Sequence, residues 1–121
     1  MKILVLDDEQ SILDTVKAML EPYEHEIDCA IDAKTAVDLV KKNAYDFILF
    51  DYRMPEHDGL WFLEHAGIPR ETKSLLMTAY GTRDLINRIF QLGAAGYLLK
   101  PFGETDLLRH LEFHSSRHPT S

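Results

Sequence analysis

Four apolar runs in this chain each give way, at their carboxyl ends, to side chains that can do chemistry. "ILVL" runs into Asp7 and Asp8, "FILF" into Asp51, "SLLM" into Thr78 and "YLL" into Lys100. One at a time these are ordinary. An Asp after a strand usually opens a turn, a Thr suits strand sequence, and a Lys before Pro suits a surface. Brought together they make a site. Three clustered carboxylates repel one another, and at close range at least one tends to take up a proton. A cation removes that repulsion. An all-oxygen set with few protein ligands and room for water suits Mg2+, and Mn2+ can substitute. Lys100 adds a fixed positive charge and Thr78 a hydroxyl, groups suited to holding a phosphoryl group. Asp51 between them is placed as a carboxylate nucleophile toward phosphorus. In-line phosphoryl transfer asks mainly for positioning and charge stabilisation, which such a site supplies.

The elements that must bring these residues together follow from the apolar spacing. Strand-length runs alternate with segments of helical period. After "ILVL", Ile12, Leu13, Val16, Met19 and Leu20 mark an amphipathic helix, with Ser11 expected as its cap and Pro22 closing it. "EIDCAI" alternates, and Ile27, Cys29 and Ile31 are expected to face inward on an edge strand. Asp32 then caps a helix carrying Ala36, Val37 and Val40, and "FILF" is the third strand. Met54, Pro55 and Gly59 read as turn residues holding the loop after Asp51, and a short helix with Leu60, Phe62 and Leu63 follows Asp58-Gly59. "SLLMT" is the fourth strand. Leu85, Ile86, Ile89 and Phe90 form the apolar face of the next helix, "YLL" is the fifth strand, and Leu107, Leu108 and Leu111 mark the last helix. Five strand–helix units predict an α/β domain with a parallel, doubly wound sheet covered on both faces. Such a sheet binds ligands beyond the carboxyl ends of its strands, where the reactive residues stand.

Bulk composition narrows the field. The 121 residues match one domain, and 45% hydrophobic residues can fill a core. Thirteen Lys and Arg against twenty Asp and Glu give a net charge of −7, which argues against direct nucleic-acid binding. A lone cysteine, Cys29, with no signal-peptide pattern and no membrane-length apolar run, reads as a cytoplasmic chain without a membrane span. The polar tail "HSSRHPTS" reads either as a native end or as the point where a longer protein continues.

With "VLDDE", "DYRMPEHDG", "MTAY" and "YLLKPF" in this order, the chain resembles the receiver domain of bacterial two-component response regulators over residues 2 to about 115. The resemblance implies a flavodoxin-like (βα)5 fold with strand order 2-1-3-4-5. It implies a receiver domain over 1–115, with 116–121 a polar tail or the start of a linker to an output domain. It also implies that Asp51 is the phosphoacceptor, served by a sensor histidine kinase or a phosphotransfer protein. Asp8 resembles a direct Mg2+ ligand, Asp7 one acting largely through water, and the backbone carbonyl of Arg53 is expected to complete the set. Thr78 and Lys100 are expected to contact the phosphoryl oxygens, and Lys100-Pro101 to be a cis peptide. Tyr97 resembles the switch aromatic that swings inward when Thr78 moves, reshaping the face of the fourth helix, fifth strand and fifth helix.

Other residues are read as tuning this member. Arg53 and Tyr80, each two positions beyond a site residue, flank the water route in the family and are expected to slow loss of the phosphoryl group. Asp106, Arg109 and Phe113 share a face of the last helix, which suggests a protein contact, including a homodimer on phosphorylation. Trp61 is read as exposed. His110, His114 and His118 recur every fourth residue and suggest one side of a helix. A phosphatase or phosphotransferase with an aspartyl intermediate is the competing class. It would want a second acid–base Asp two residues after the nucleophile, where this chain has Arg53, and a cap for which 121 residues leave little room. A receiver-like binding module without phosphorylation is the third reading, opposed by the complete set Asp7, Asp8, Asp51, Thr78 and Lys100. The output, transcription regulation among the alternatives, is left open by these motifs.

Overall fold

The computed structural model describes residues 1–115. Its strands are β1 (Lys2–Leu6), β2 (Glu26–Ala30), β3 (Phe47–Asp51), β4 (Lys73–Thr78) and β5 (Gly96–Leu99). Its helices are α1 (Gln10–Leu20), α2 (Ala33–Lys42), α3 (Gly59–His65), α4 (Arg83–Gln91) and α5 (Glu104–Ser115). The strands form one parallel sheet in the order β2-β1-β3-β4-β5. This is the doubly wound α/β topology the alternation predicts.

Side chains alternate across the sheet and divide the core in two. Leu4, Leu6, Ile48, Phe50 and Leu76 pack with α2, α3 and α4 residues such as Val37, Phe62 and Ile89. Ile3, Val5, Phe47, Leu49 and Leu98 pack with Leu13 and Val16 of α1 and Leu107 and Leu111 of α5. β3 is buried along its whole length, as a central strand with helices on both faces must be. The second alternation matters for function. Continued one step beyond Val5, Leu49 and Leu98, it reaches Asp7, Asp51 and Lys100.

Several local expectations are corrected. Ser11 does not cap α1. The cap position is Glu9, without a side-chain cap bond, and Ser11 lies inside the helix with its carbonyl accepting from Thr15 Oγ1. The turn ahead of α1 is instead organised by Asp7, whose carboxylate accepts from the Glu9 N–H at 3.0 Å. β2 also departs from simple alternation. Ile27 packs inward, but Cys29 is exposed, and Ile31 lies beyond the strand at 55% exposure. The better-covered face near the strand's end carries Ala30, buried, and Asp28, which accepts from the Tyr45 hydroxyl at 2.7 Å. In α4 only Ile89 is buried. Phe90 is exposed, as are Tyr97 and Leu99 of the edge strand β5. Trp61 is half-buried, its ring stacked between His57 and His65. His110 and His114 do stack on α5, while His118 lies outside the described residues. The cap of α2 is as read, Asp32 accepting from Thr35 N, and α3 is capped by Asp58, which accepts from Trp61 N.

Candidate functional site

The site is built at one rim of the sheet. Asp7 follows β1 and extends its pairing by one residue, donating from its N–H to the Ala30 carbonyl at 3.1 Å. That bond fixes a fully buried carboxylate. One of its oxygens accepts from Glu9 N–H, and the other takes the Lys100 ammonium at 2.7 Å. Asp51 is the last residue of β3 and nearly buried, and its Oδ1 accepts from its neighbour's N–H, that of Tyr52, at 2.9 Å. Lys100 Nζ lies 3.6 Å from the same Asp51 oxygen. Its own N–H donates to the Thr78 carbonyl at 2.8 Å, which ties the ends of β4 and β5 together just before the Lys100-Pro101 bond, a cis peptide. Asp8 faces solvent, and one carboxylate oxygen from each of Asp7, Asp8 and Asp51 falls within 4.8 Å of the others.

The electrostatics follow from that crowding. Burial, then the Asp7 carboxylate, push Asp51 up to about 6, against the pull of Lys100. Burial acts to lower Lys100, but the hydrogen bond to Asp7 and the charges of Asp51 and Asp7 outweigh it, so the ammonium is raised. The lysine therefore stays charged at neutral pH and offsets part of the carboxylate repulsion. Hard oxygen donors, two of them buried and one open to water, fit a divalent cation of the Mg2+ type.

A cavity of about 230 Å³ opens over these groups, lined by Asp8, Asp51, Arg53, Thr78, Tyr80 and Lys100 among others. The structure thus gathers every strand-end residue singled out in the sequence, Asp7 lying just beneath the lining. The Thr78 hydroxyl is engaged within its own turn, accepting from Tyr80 N–H at 3.0 Å and donating back to the Tyr80 carbonyl at 3.3 Å. Arg53 and Tyr80 are both exposed and in contact, the guanidinium 5.2 Å from the ring centroid, across the cavity mouth. Tyr97 points outward, 37% exposed, in a strand paired with β4 so that Leu76 faces Tyr97 and Thr78 faces Leu99.

Two positioning features were not singled out as such. Gly59 donates its N–H to the Tyr52 carbonyl at 2.7 Å, and a Cβ there would lie 2.6 Å from the Asp51 carbonyl oxygen. The "DG" dipeptide signalled the turn, but the closeness to Asp51 depends on tertiary packing. The stack of His57 on Trp61 likewise joins residues whose spacing carries no distinctive signal.

Comparison with known proteins matches this architecture. The family model described as the response regulator receiver domain matches residues 3–112. Transcriptional regulatory protein PdtaR of Mycobacterium tuberculosis is 32% identical over 117 residues, covering 96% of this chain and 57% of that protein. Transcriptional regulatory protein DltR of Streptococcus agalactiae is 33% identical over 115 residues, covering 92% of this chain and 50% of that protein. The chain therefore spans about half the length of these two relatives. Among solved structures, chemotaxis protein CheY4 of Vibrio cholerae superposes with a TM-score of 0.87 at 29% identity, covering 93% of this chain and 96% of that one.

Proposed function

This chain belongs to the response regulator receiver domain family, the regulatory domain of two-component signalling, and we propose that it is a phosphorylation-operated switch with Asp51 as phosphoacceptor. The observation that carries the reading is a nearly buried carboxylate at a strand end, beside a charged lysine and two further carboxylates, opening into a small cavity. A carboxylate oxygen of Asp51 attacks phosphorus on the phosphohistidine of a sensor histidine kinase or phosphotransfer protein. The new O–P bond forms as the N–P bond breaks, and the imidazole leaves with its electron pair. Lys100 lies where it offsets charge on the incoming phosphoryl oxygens. Asp8, Asp51 and the Arg53 backbone carbonyl are the proposed Mg2+ ligands, with Asp7 acting through water because Lys100 and Glu9 already engage its oxygens. When bound, Mg2+, or Mn2+ in its place, neutralises charge shared between the carboxylates and the phosphoryl group.

The switch is read from Thr78 and Tyr97. In the present conformation the Thr78 hydroxyl is turned back on Tyr80 and Tyr97 is out. The phosphoryl group adds about −1.5 to −2 charges and strong acceptors. Thr78 then donates to it instead of to Tyr80, and Tyr97 on the adjacent strand moves inward. The face of α4, β5 and α5 changes and passes the signal to an output domain or a separate partner. Transcriptional output is the proposal suggested by the names of PdtaR and DltR. The domain is taken as 1–115, with 116–121 a tail or linker, and the setting as cytoplasmic. Among the described residues no helix is long and apolar enough to cross a membrane.

The test is labelling by a small phosphodonor, with and without Mg2+, in wild type and Asp51→Asn. Mg2+-dependent labelling confined to wild type is expected. Equal labelling of both proteins would remove Asp51 from its role.

A further inference from the structure

The loop from Tyr52 to Asp58 carries the Arg53 carbonyl, so its shape decides whether the proposed metal ligands are ready. Its centre is strained. The His57 N–H donates to the Pro55 carbonyl at 2.8 Å, closing a three-residue turn around Glu56, whose φ is 69°. A non-glycine residue with that φ and an i to i+2 bond adopts a rare conformation, which persists only where its surroundings hold it. The residue next to the strain is held by its ring. His57 stacks on Trp61 with centroids 3.8 Å apart and planes 15° from parallel.

Trp61 is itself a fixed surface. Its N–H is held by the Asp58 cap at 2.9 Å, and its ring packs against the α2–α3–α4 side of the core. On its far face it stacks with His65 at 4.3 Å, whose Nδ1 bonds back to the Trp61 carbonyl at 2.8 Å. The stack of His57 on Trp61 therefore joins the strained turn of the loop to a helix anchored in the core. We propose that His57 is a positioning residue that clamps the β3–α3 loop onto Trp61, and so presets the loop carrying Arg53 for the divalent cation. This rests on the metal reading given above. The contact is made by a ring face, so a phenyl ring should serve as well as an imidazole.

Three variants separate the clamp from general packing: His57→Ala, His57→Phe and His65→Ala, the last losing a stack on Trp61 that does not touch the loop. Two measurements are made on folded protein, Mg2+ affinity by calorimetry and amide hydrogen exchange across residues 53–57 without metal. His57→Ala is expected to weaken Mg2+ binding roughly three- to tenfold, the scale of one aromatic stack, and to speed exchange in the loop. His57→Phe is expected to restore both, and His65→Ala to leave both near wild type. Mg2+ affinity equal in wild type and His57→Ala would overturn the clamp while leaving the metal site standing. Equal weakening by His57→Ala and His65→Ala would also overturn it, as would failure of His57→Phe to rescue. No Mg2+ binding by wild type would instead overturn the metal reading on which the clamp's role depends.

Discussion

Asp51 is held where its own negative charge is costly. Its carboxyl is raised to about 6 by burial and by Asp7, so between the ordinary carboxylate range and pH 6 the folded chain binds more proton than the unfolded chain. Stability contributed by this group is full below the unfolded value and is lost as pH rises through 6. Asp51→Asn should therefore stabilise the metal-free protein at pH 7 by about 1–3 kcal/mol. The gain should vanish near pH 4, as read by urea denaturation at several pH values. Lys100 acts the other way. Its ammonium is the partner of the fully buried Asp7 carboxylate at 2.7 Å, and Lys100→Ala would leave that charge uncompensated. A loss of about 3 kcal/mol is expected at pH 7 in the same experiment. Tyr80, in contact with Arg53 and lining the cavity over Asp51, is the residue expected to shield a phosphoryl group from water. Tyr80→Ala should shorten the life of the phosphorylated form several-fold without lowering the extent of Mg2+-dependent labelling. A dephosphorylation rate unchanged from wild type would count against the shielding role.

At the scale of elements, the strand ends do the positioning, and this is the part of the site written most openly in the chain. Apolar runs that stop at Asp7, Asp51, Thr78 and Lys100 can be read because a strand's burial ends where its sequence turns polar, and a parallel sheet puts those ends on one rim. What could not be read depended on neighbours in space. Ser11 looks like a cap by residue type, but the turn's donor is met by Asp7 from outside the helix. Cys29 and Ile31 fit an inward alternation, but the covered face near the strand's end holds Ala30 and Asp28. Phe90 fits a helical stripe, but of α4 only Ile89 is buried. The Thr78–Tyr80 hydroxyl exchange and the approach of Gly59 to Asp51 are also tertiary facts. Gly59 yields an element-scale prediction. Gly59→Ala places a methyl against the Asp51 carbonyl oxygen and should destabilise the fold by about 1–3 kcal/mol. It should also weaken Mg2+ binding, because the strand end and the loop must separate to admit it.

The whole molecule is an acidic domain with net charge −7, and its reactive rim concentrates part of that charge. A cation bound only by the folded form stabilises it by mass action, by about 2.7 kcal/mol at one hundred times its dissociation constant. Saturating Mg2+ should raise the melting temperature of wild type, chelation should reverse the rise, and Asp8→Asn should reduce it. The opposite end of the signal is apolar. Phe90, Tyr97, Leu99 and Phe113 are exposed on α4, β5 and α5, the elements proposed above to carry the signal to a partner. Sedimentation with and without phosphodonor is expected to show self-association in the phosphorylated state, reduced by Phe113→Glu. A monomer under both conditions would assign this surface to another partner.

The proposed switch turns on one covalent bond, so the most direct measurement is to locate it. The Mg2+-dependent adduct formed with a small phosphodonor would be trapped by hydride reduction of the acyl phosphate and mapped by peptide mass spectrometry. Reduction at residue 51 alone is expected. A reduced residue at position 7 or 8, or an adduct on a side chain other than a carboxylate, would contradict it.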